Sequence, residues 1–205
     1  GRVQIPEGRS VFWAASAETV AEARKILESA MNHSASLIRK ESEQDWEEYI
    51  SRIQVSPRKD AEDLERLLAT VEDVAVLIRS QQSREGSVLA GYNYHLGYVR
   101  DQFGSFRCLM KLHLYPEAQK ILTFYRDVYQ KTKQLHNAQA SGVTGVFHVH
   151  ENDEVEITGY LILQTIQYYE ETGDEEFFRS ALCVHRQIAE GVAPHADPVP
   201  LFRIR

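Results

Sequence analysis

Cysteine is scarce in this sequence, with only Cys108 and Cys183 in 205 residues. Two thiols exclude a disulfide framework. Neither cysteine has a partner at the spacing that zinc sites use. Each sits inside an apolar helical pattern, so buried thiols are expected. Long hydrophobic runs are also missing, and none approaches the roughly 20 residues that a bilayer-spanning helix needs. Positive charge is in deficit, with 23 Lys and Arg against 30 Asp and Glu and a net charge of −7. That balance excludes the broad basic groove of a nucleic-acid binder. No charged-then-apolar leader follows Gly1, which favours a cytoplasmic over a secreted location.

What is present reads as a globular chain. Hydrophobic residues make up 43% and charged residues 26%, an ordinary mix for a domain large enough to remove roughly 70% of its surface from water. Residues 1–15 are rich in β-branched and aromatic side chains broken by Pro6 and Gly8. They read as the end of a β-rich region, and 16–205 as a helical domain. Ser16 as cap and the run "TVAEARKILESAMNHSASLIRK" predict one long amphipathic helix. A shorter helix around Trp46, Tyr49 and Ile50 is closed by Pro57, and a third covers about 60–82 with Leu64 to Ile78 on one face. Helices follow through Phe103 to Leu112, from Pro116 through Val128, from Glu154 to the "TGD" at 172–174, and from Asp174 towards Gly191.

Short links, "LYPE" and "ETGDE", alternate with long irregular ones. The short links make helical hairpins and the long ones join consecutive hairpins, so the long loops can gather at one end, where function concentrates. The first long loop ends in "GYNYHLGYVRD", residues 91–101. Tyr92, Tyr94, His95 and Tyr98 carry flat amphipathic rings on which an apolar sugar face can rest. Arg100 offers donors in a fixed plane and Asp101 two acceptors, so the pair can read adjacent hydroxyls of one pyranose. Asp101 also suits the positive end of a helix as a plain cap. The second long loop carries His148, His150, Glu151, Asn152 and Asp153 ahead of a helix. Glu154 and Glu156 fit its first turn, while Glu151 and Asp153 are placed to face the cleft. The alternating "HVH" reads as a strand rather than a ligand pair, and no metal is expected.

From Trp13 to Gly191 these residues resemble the glucoamylase-like glycoside hydrolases, enzymes built on an α/α toroid of six helical hairpins. The family's W-x-R-D box is matched by "YVRD", with Tyr98 where the family has tryptophan. The following G-y-x-E-A segment is matched by "LHLYPEAQKIL", and the upstream G-x-v-x-A segment by "IRSQQSREGSVLAGYNY". A Q-x-D box leading to Y-x-x-T-G-D is matched by "ENDEVEITGYLILQTIQYYEETGD". Earlier, "DWEEYIS" is similar to a Trp-bearing segment ahead of the barrel. The resemblance implies an all-α fold of antiparallel hairpins forming part of a toroid, with a short β segment at the N-terminus.

By that resemblance Arg100 and Asp101 hold the non-reducing-end glucose beside the bond that breaks, and Asp153 lines the same pocket. His150, Glu151 and Asn152 depart from the family's usual residues, which leaves room for a changed substrate preference. Inverting glycosidases set two carboxyl groups about 6.5–9.5 Å apart, one as acid and one as base. In the family both lie on hairpins beyond the point where this sequence stops, so the resemblance implies a portion of a larger α-glucoside hydrolase, about half a barrel. Its expected ligand is an oligosaccharide or glucoside, without cofactor, metal, nucleic acid or membrane. Helix faces left open by the missing hairpins are expected to associate. Two alternatives stand beside this. One is another sugar-active toroid enzyme, such as a phosphorylase or epimerase. The other is a non-catalytic helical interaction module.

Overall fold

Helix starts and stops show how local chemistry sets the architecture. In the computed structural model, residues 13–15, 17, 19–56, 63–91, 93–142, 146–148 and 153–192 are described, with the backbone alone at 153–156, 158 and 189–192. Thr19 opens α1 (Val20–Met31) with a capping box: its hydroxyl accepts from Glu22 N–H at 3.2 Å and the Glu22 carboxylate returns to the Thr19 backbone. Two orphan amides are satisfied at once. Asn32 closes the helix, and the Ser34 hydroxyl accepts from Leu37 N–H as α2 (Ala35–Ser51) begins. The single long helix expected over 19–40 is thus two helices, broken at 32–34, because Asn and Ser side chains compete with the helical ladder for backbone groups.

The chain forms two compact units, residues 1–51 and 52–205. In the first unit α1 buries none of its residues, contrary to the core face expected for Val20, Ile26 and Met31. On α2, Tyr49 is buried and meets Trp46 edge to face with centroids 6.0 Å apart. The β segment expected at the N-terminus falls almost wholly outside the described residues.

The second unit is an alternation of helices with one small sheet. It contains α3 (Leu64–Gln81), β1 (Leu96–Tyr98), α4 (Val99–Lys111), α5 (Tyr115–Thr132), β2 (Ala138–Ala140), β3 (Phe147–His148), α6 (Asp153–Thr172) and α7 (Glu175–Val192). Pro116 stands in the first turn of α5, where its missing N–H costs nothing. Asp174 caps α7 by accepting from Phe177 N–H at 3.0 Å. His113, at φ 60°, turns the chain between α4 and α5, and Gly173, at φ 69°, does so between α6 and α7. These tight turns produce the two hairpins.

The core is built from one face of each helix. Phe106 and Leu109 of α4, Ala118, Ile121, Leu122, Tyr125 and Val128 of α5, Leu161 and Tyr168 of α6, and Phe177, Val184 and Ile188 of α7 are all buried. Two expectations are corrected here. Cys108 is half-buried and Cys183 exposed, because the packed stripe of α7 runs through Ala181, Val184 and Ile188 and passes Cys183 by. On α3 only Ala75 and Ile78 are buried, while Leu67 and Val74 stand out to solvent.

Candidate functional site

Both long links were expected to be irregular apart from the strand-like alternation at 148–150, and each contributes strand. β2 pairs antiparallel with β1 on one side and with β3 on the other. Leu96 faces Ala140, Tyr98 faces Ala138, and Ala138 faces His148. The β1–β2 pairs join residues far apart in sequence, Leu96 with Ala140 and Tyr98 with Ala138, so that pairing has no local signal beyond the two or three residues of each strand. One sheet therefore joins residues 96–98 of the first link with 138–140 and 147–148 of the second, at the end of the unit where α4 and α6 begin.

The helices that leave this sheet run side by side in the same direction. Phe103 and Tyr160 meet with ring centroids 4.8 Å apart near their starts. Towards their ends, Arg107, Met110 and Lys111 of α4 face Gln167, Glu170 and Glu171 of α6 across a cleft of about 220 Å3. Alternation along strands places Tyr98, Ala138 and His148 in one cross-strand row. The small Ala138 leaves Tyr98 and His148 as the projecting side chains of that row. Tyr94 packs edge to face on Tyr98, centroids 6.2 Å apart. On a neighbouring part of the sheet His136 stacks flat on Phe147 at 3.5 Å.

The start of α4 is fixed by a residue that sequence reasoning missed. Tyr98, its N-cap, supplies no side-chain cap. Instead Val99 N–H donates to both the backbone oxygen and the side-chain oxygen of Asn137, at 3.0 and 3.1 Å. Asn137 is buried, so it ties the Arg100–Asp101 turn to the other long link. Below it lies a second missed residue, Gln102. Its side-chain oxygen accepts from Val88 N–H at 3.0 Å and its nitrogen donates to the Tyr125 hydroxyl at 2.5 Å. Gly97 is required beside it, since a Cβ there would lie 2.4 Å from Gln102 Nε2 and from Ser87 Oγ. Burial pushes the Tyr125 phenol far above its ordinary value, and the nearby Asp101 charge adds to the rise. Gln139, also buried, donates to Val146 C=O at 2.8 Å and stiffens the β2–β3 connection.

Of the residues singled out from the sequence, Tyr94, Tyr98, Arg100 and Asp101 come together at this end. Arg100, Asp101 and Tyr94 are exposed and Tyr98 half-buried. Arg100 and Asp101 line neither the cleft between α4 and α6 nor a groove of about 540 Å3 along α2 that Trp13, Ile38 and Trp46 bound. Asp153 is the first residue of α6, at the same end, described by its backbone alone. Tyr92 and Glu151 lie outside the described residues. Among the described residues no three His, Cys, Asp or Glu side chains converge as a metal ion would need. No helix there is long and apolar enough to cross a membrane.

No protein-family profile, characterised protein or solved structure matches the chain.

Proposed function

We propose that this chain is the sugar-gripping portion of a glycoside hydrolase acting on α-linked glucosides, glucoamylase-like and inverting. The observation that carries the reading is the β1–β2–β3 sheet, which draws both long links to the end where two parallel helices begin. It supports a single ligand end made of Tyr94, Tyr98, Arg100 and Asp101 on one link and helix, with Asp153 at the head of the next.

In this reading the guanidinium of Arg100 donates to sugar oxygens and the Asp101 carboxylate accepts from adjacent hydroxyls, a charge-assisted pairing on neighbouring positions of one ring. The Tyr94–Tyr98 edge-to-face pair offers an amphipathic wall, apolar on the rings and polar at the hydroxyls. Neither a general acid nor a general base is assigned among these residues. The fold of the helical hairpins is read as part of an α/α toroid that would place those carboxyl groups on other hairpins.

Calorimetric titration of the chain with glucose, maltose and longer maltooligosaccharides tests the reading. Saturable binding that Arg100→Ala abolishes is the expected result. No heat with any of these sugars would sink it. Phosphate-dependent turnover of the same sugars would move the assignment to a phosphorylase. The exposure of Arg100 and Asp101 favours one further reading, a helical interaction module, for which sugar binding would be absent altogether.

A further inference from the structure

The two parallel helices α4 and α6 turn one side towards α5 and α7 and leave the other side open. On α4 the packed residues are Gln102, Phe106 and Leu109, and the open stripe is Arg100, Gly104, Arg107 and Lys111. On α6 the packed residues are Leu161, Thr165 and Tyr168, and the open stripe is Gly159, Leu163, Ile166 and Glu170. Because Phe103 and Tyr160 meet between the helices, helical geometry puts both stripes on the same side.

Three features mark this face. Leu163 and Ile166 are 42% and 37% exposed. Gly104 and Gly159 sit in helix interiors, each with nothing within 4 Å of where a Cβ would be. A glycine there weakens its helix and is kept where another backbone or a bulky side chain approaches closely. The charges are also segregated, with Arg107 and Lys111 on the α4 side of the cleft and Glu170 and Glu171 on the α6 side.

We propose that a second copy of this chain docks on the α4–α6 face around a two-fold axis parallel to the helices. That axis lays α4 of one protomer along α6 of its partner, pointing the same way, and the charge pattern selects it. Lys111 and Arg107 then meet the partner's acidic α6 end, and the reciprocal pairs form on the other side of the axis. The apolar Leu163 seats in the hollow over Gly104. A two-fold axis across the helices would instead set α4 against its own reversed copy, with Arg100 over Lys111 and cations opposed along its length. The molecule carries −7 overall, so it repels itself except where a patch is locally balanced, as this one is.

The face is one α4 long and two helices wide, about 20 Å by 20 Å, which makes a small contact and a weak dimer with a Kd on the order of tens of micromolar. The inference does not depend on what the Tyr98–Asp101 end binds.

Sedimentation equilibrium of the chain from about 1 to about 500 µM spans that range. The expected result is a monomer–dimer equilibrium that weakens as salt rises. Leu163→Lys should remove the dimer. Lys111→Glu should weaken it roughly tenfold, and adding Glu170→Lys to Lys111→Glu should restore it, since opposite charges again face each other. Gly104→Ala gives a readout that a merely structural role would not give: the monomer should melt at higher temperature while the dimer weakens. A monomer at every concentration would overturn the proposal, and so would a dimer indifferent to Leu163→Lys and Lys111→Glu. Far-ultraviolet circular dichroism of each variant checks the fold. These side chains are exposed, so it should be unchanged.

Discussion

Gln102 and Tyr125 are joined inside the second unit: the Gln102 amide nitrogen donates to the Tyr125 hydroxyl at 2.5 Å, with both side chains sealed from water. The same amide's oxygen takes the Val88 N–H. One side chain thus fastens the first long link to the middle of α5 and fixes the helix turn that carries Arg100 and Asp101.

Removing that side chain leaves two buried polar groups without partners. Gln102→Leu should lower stability by about 1–3 kcal/mol, the range for orphaning buried donors and acceptors. Urea denaturation measures it. Tyr125→Phe orphans one donor only and should cost less. If both variants unfold at the wild-type midpoint, the amide is not holding the link.

Gly86 sits where the same link folds back on α5. Its φ is +110°, and an added Cβ would fall 2.1 Å from the Lys120 carbonyl oxygen and 2.5 Å from its carbon, both backbone atoms. Neither can move aside as a flexible side chain could. Gly86→Ala should therefore cost roughly 2–5 kcal/mol from strain and overpacking together. Gly97→Ala, which meets only side-chain atoms, should cost less. Thermal melts of the two variants rank them, and the reverse order would contradict this packing.

His185 joins α6 and α7 through a 2.8 Å hydrogen bond between its Nε2 and the Thr165 hydroxyl. Burial lowers its pKa from the ordinary 6.5 to about 4. In the unfolded chain it takes up a proton as pH falls through about 6.5, whereas in the fold it stays neutral down to about 4. The unfolded state then binds more protons, so stability falls across that window and levels off below it. The loss is on the order of 3 kcal/mol. Denaturation at pH 7.0, 5.5 and 4.5 should show the decline, and His185→Gln should flatten it. A wild-type slope unchanged by that substitution would assign the decline to other groups.

The sugar reading predicts a separation of stability from binding. Arg100 is exposed, so Arg100→Ala should leave the melting temperature close to that of the wild type while lowering maltooligosaccharide affinity at least tenfold. That factor corresponds to losing about 1.4 kcal/mol of charge-assisted contact. Asn137→Ala should do the opposite in part: it removes one of the two oxygens that the Val99 N–H donates to and leaves the backbone one, costs about 1 kcal/mol of stability and weakens affinity only through the loosened turn. Equal effects of the two substitutions on affinity would count against a direct contact by Arg100.

Much of the helical framework was legible because its signals are local. Pro116 and Asp174 marked helix starts, and the three-four spacing of Ala118, Ile121, Leu122, Tyr125 and Val128 named a face that is buried throughout. The same spacing misled on α1 and α3, where Val20, Leu67 and Val74 are exposed. Periodicity reports which residues could be buried together, not whether a partner is there. At the start of α4, Tyr98, Arg100 and Asp101 were conspicuous by residue type. Asn137, Gln102 and Gln139 were not, because a buried amide looks like a surface amide until its partners are known.

By itself the sequence determined most of the succession of helices and the two tight hairpin turns. All of these follow from backbone preferences and side-chain character within a few residues of each other. Only the tertiary structure decided that Leu96–Tyr98, Ala138–Ala140 and Phe147–His148 form one sheet, that Cys183 faces solvent, and that α4 and α6 share an open face. The β1–β2 pairing and the packing of α4 beside α6 join residues tens of positions apart, and their free energy exists only once the chain has closed the loops between them.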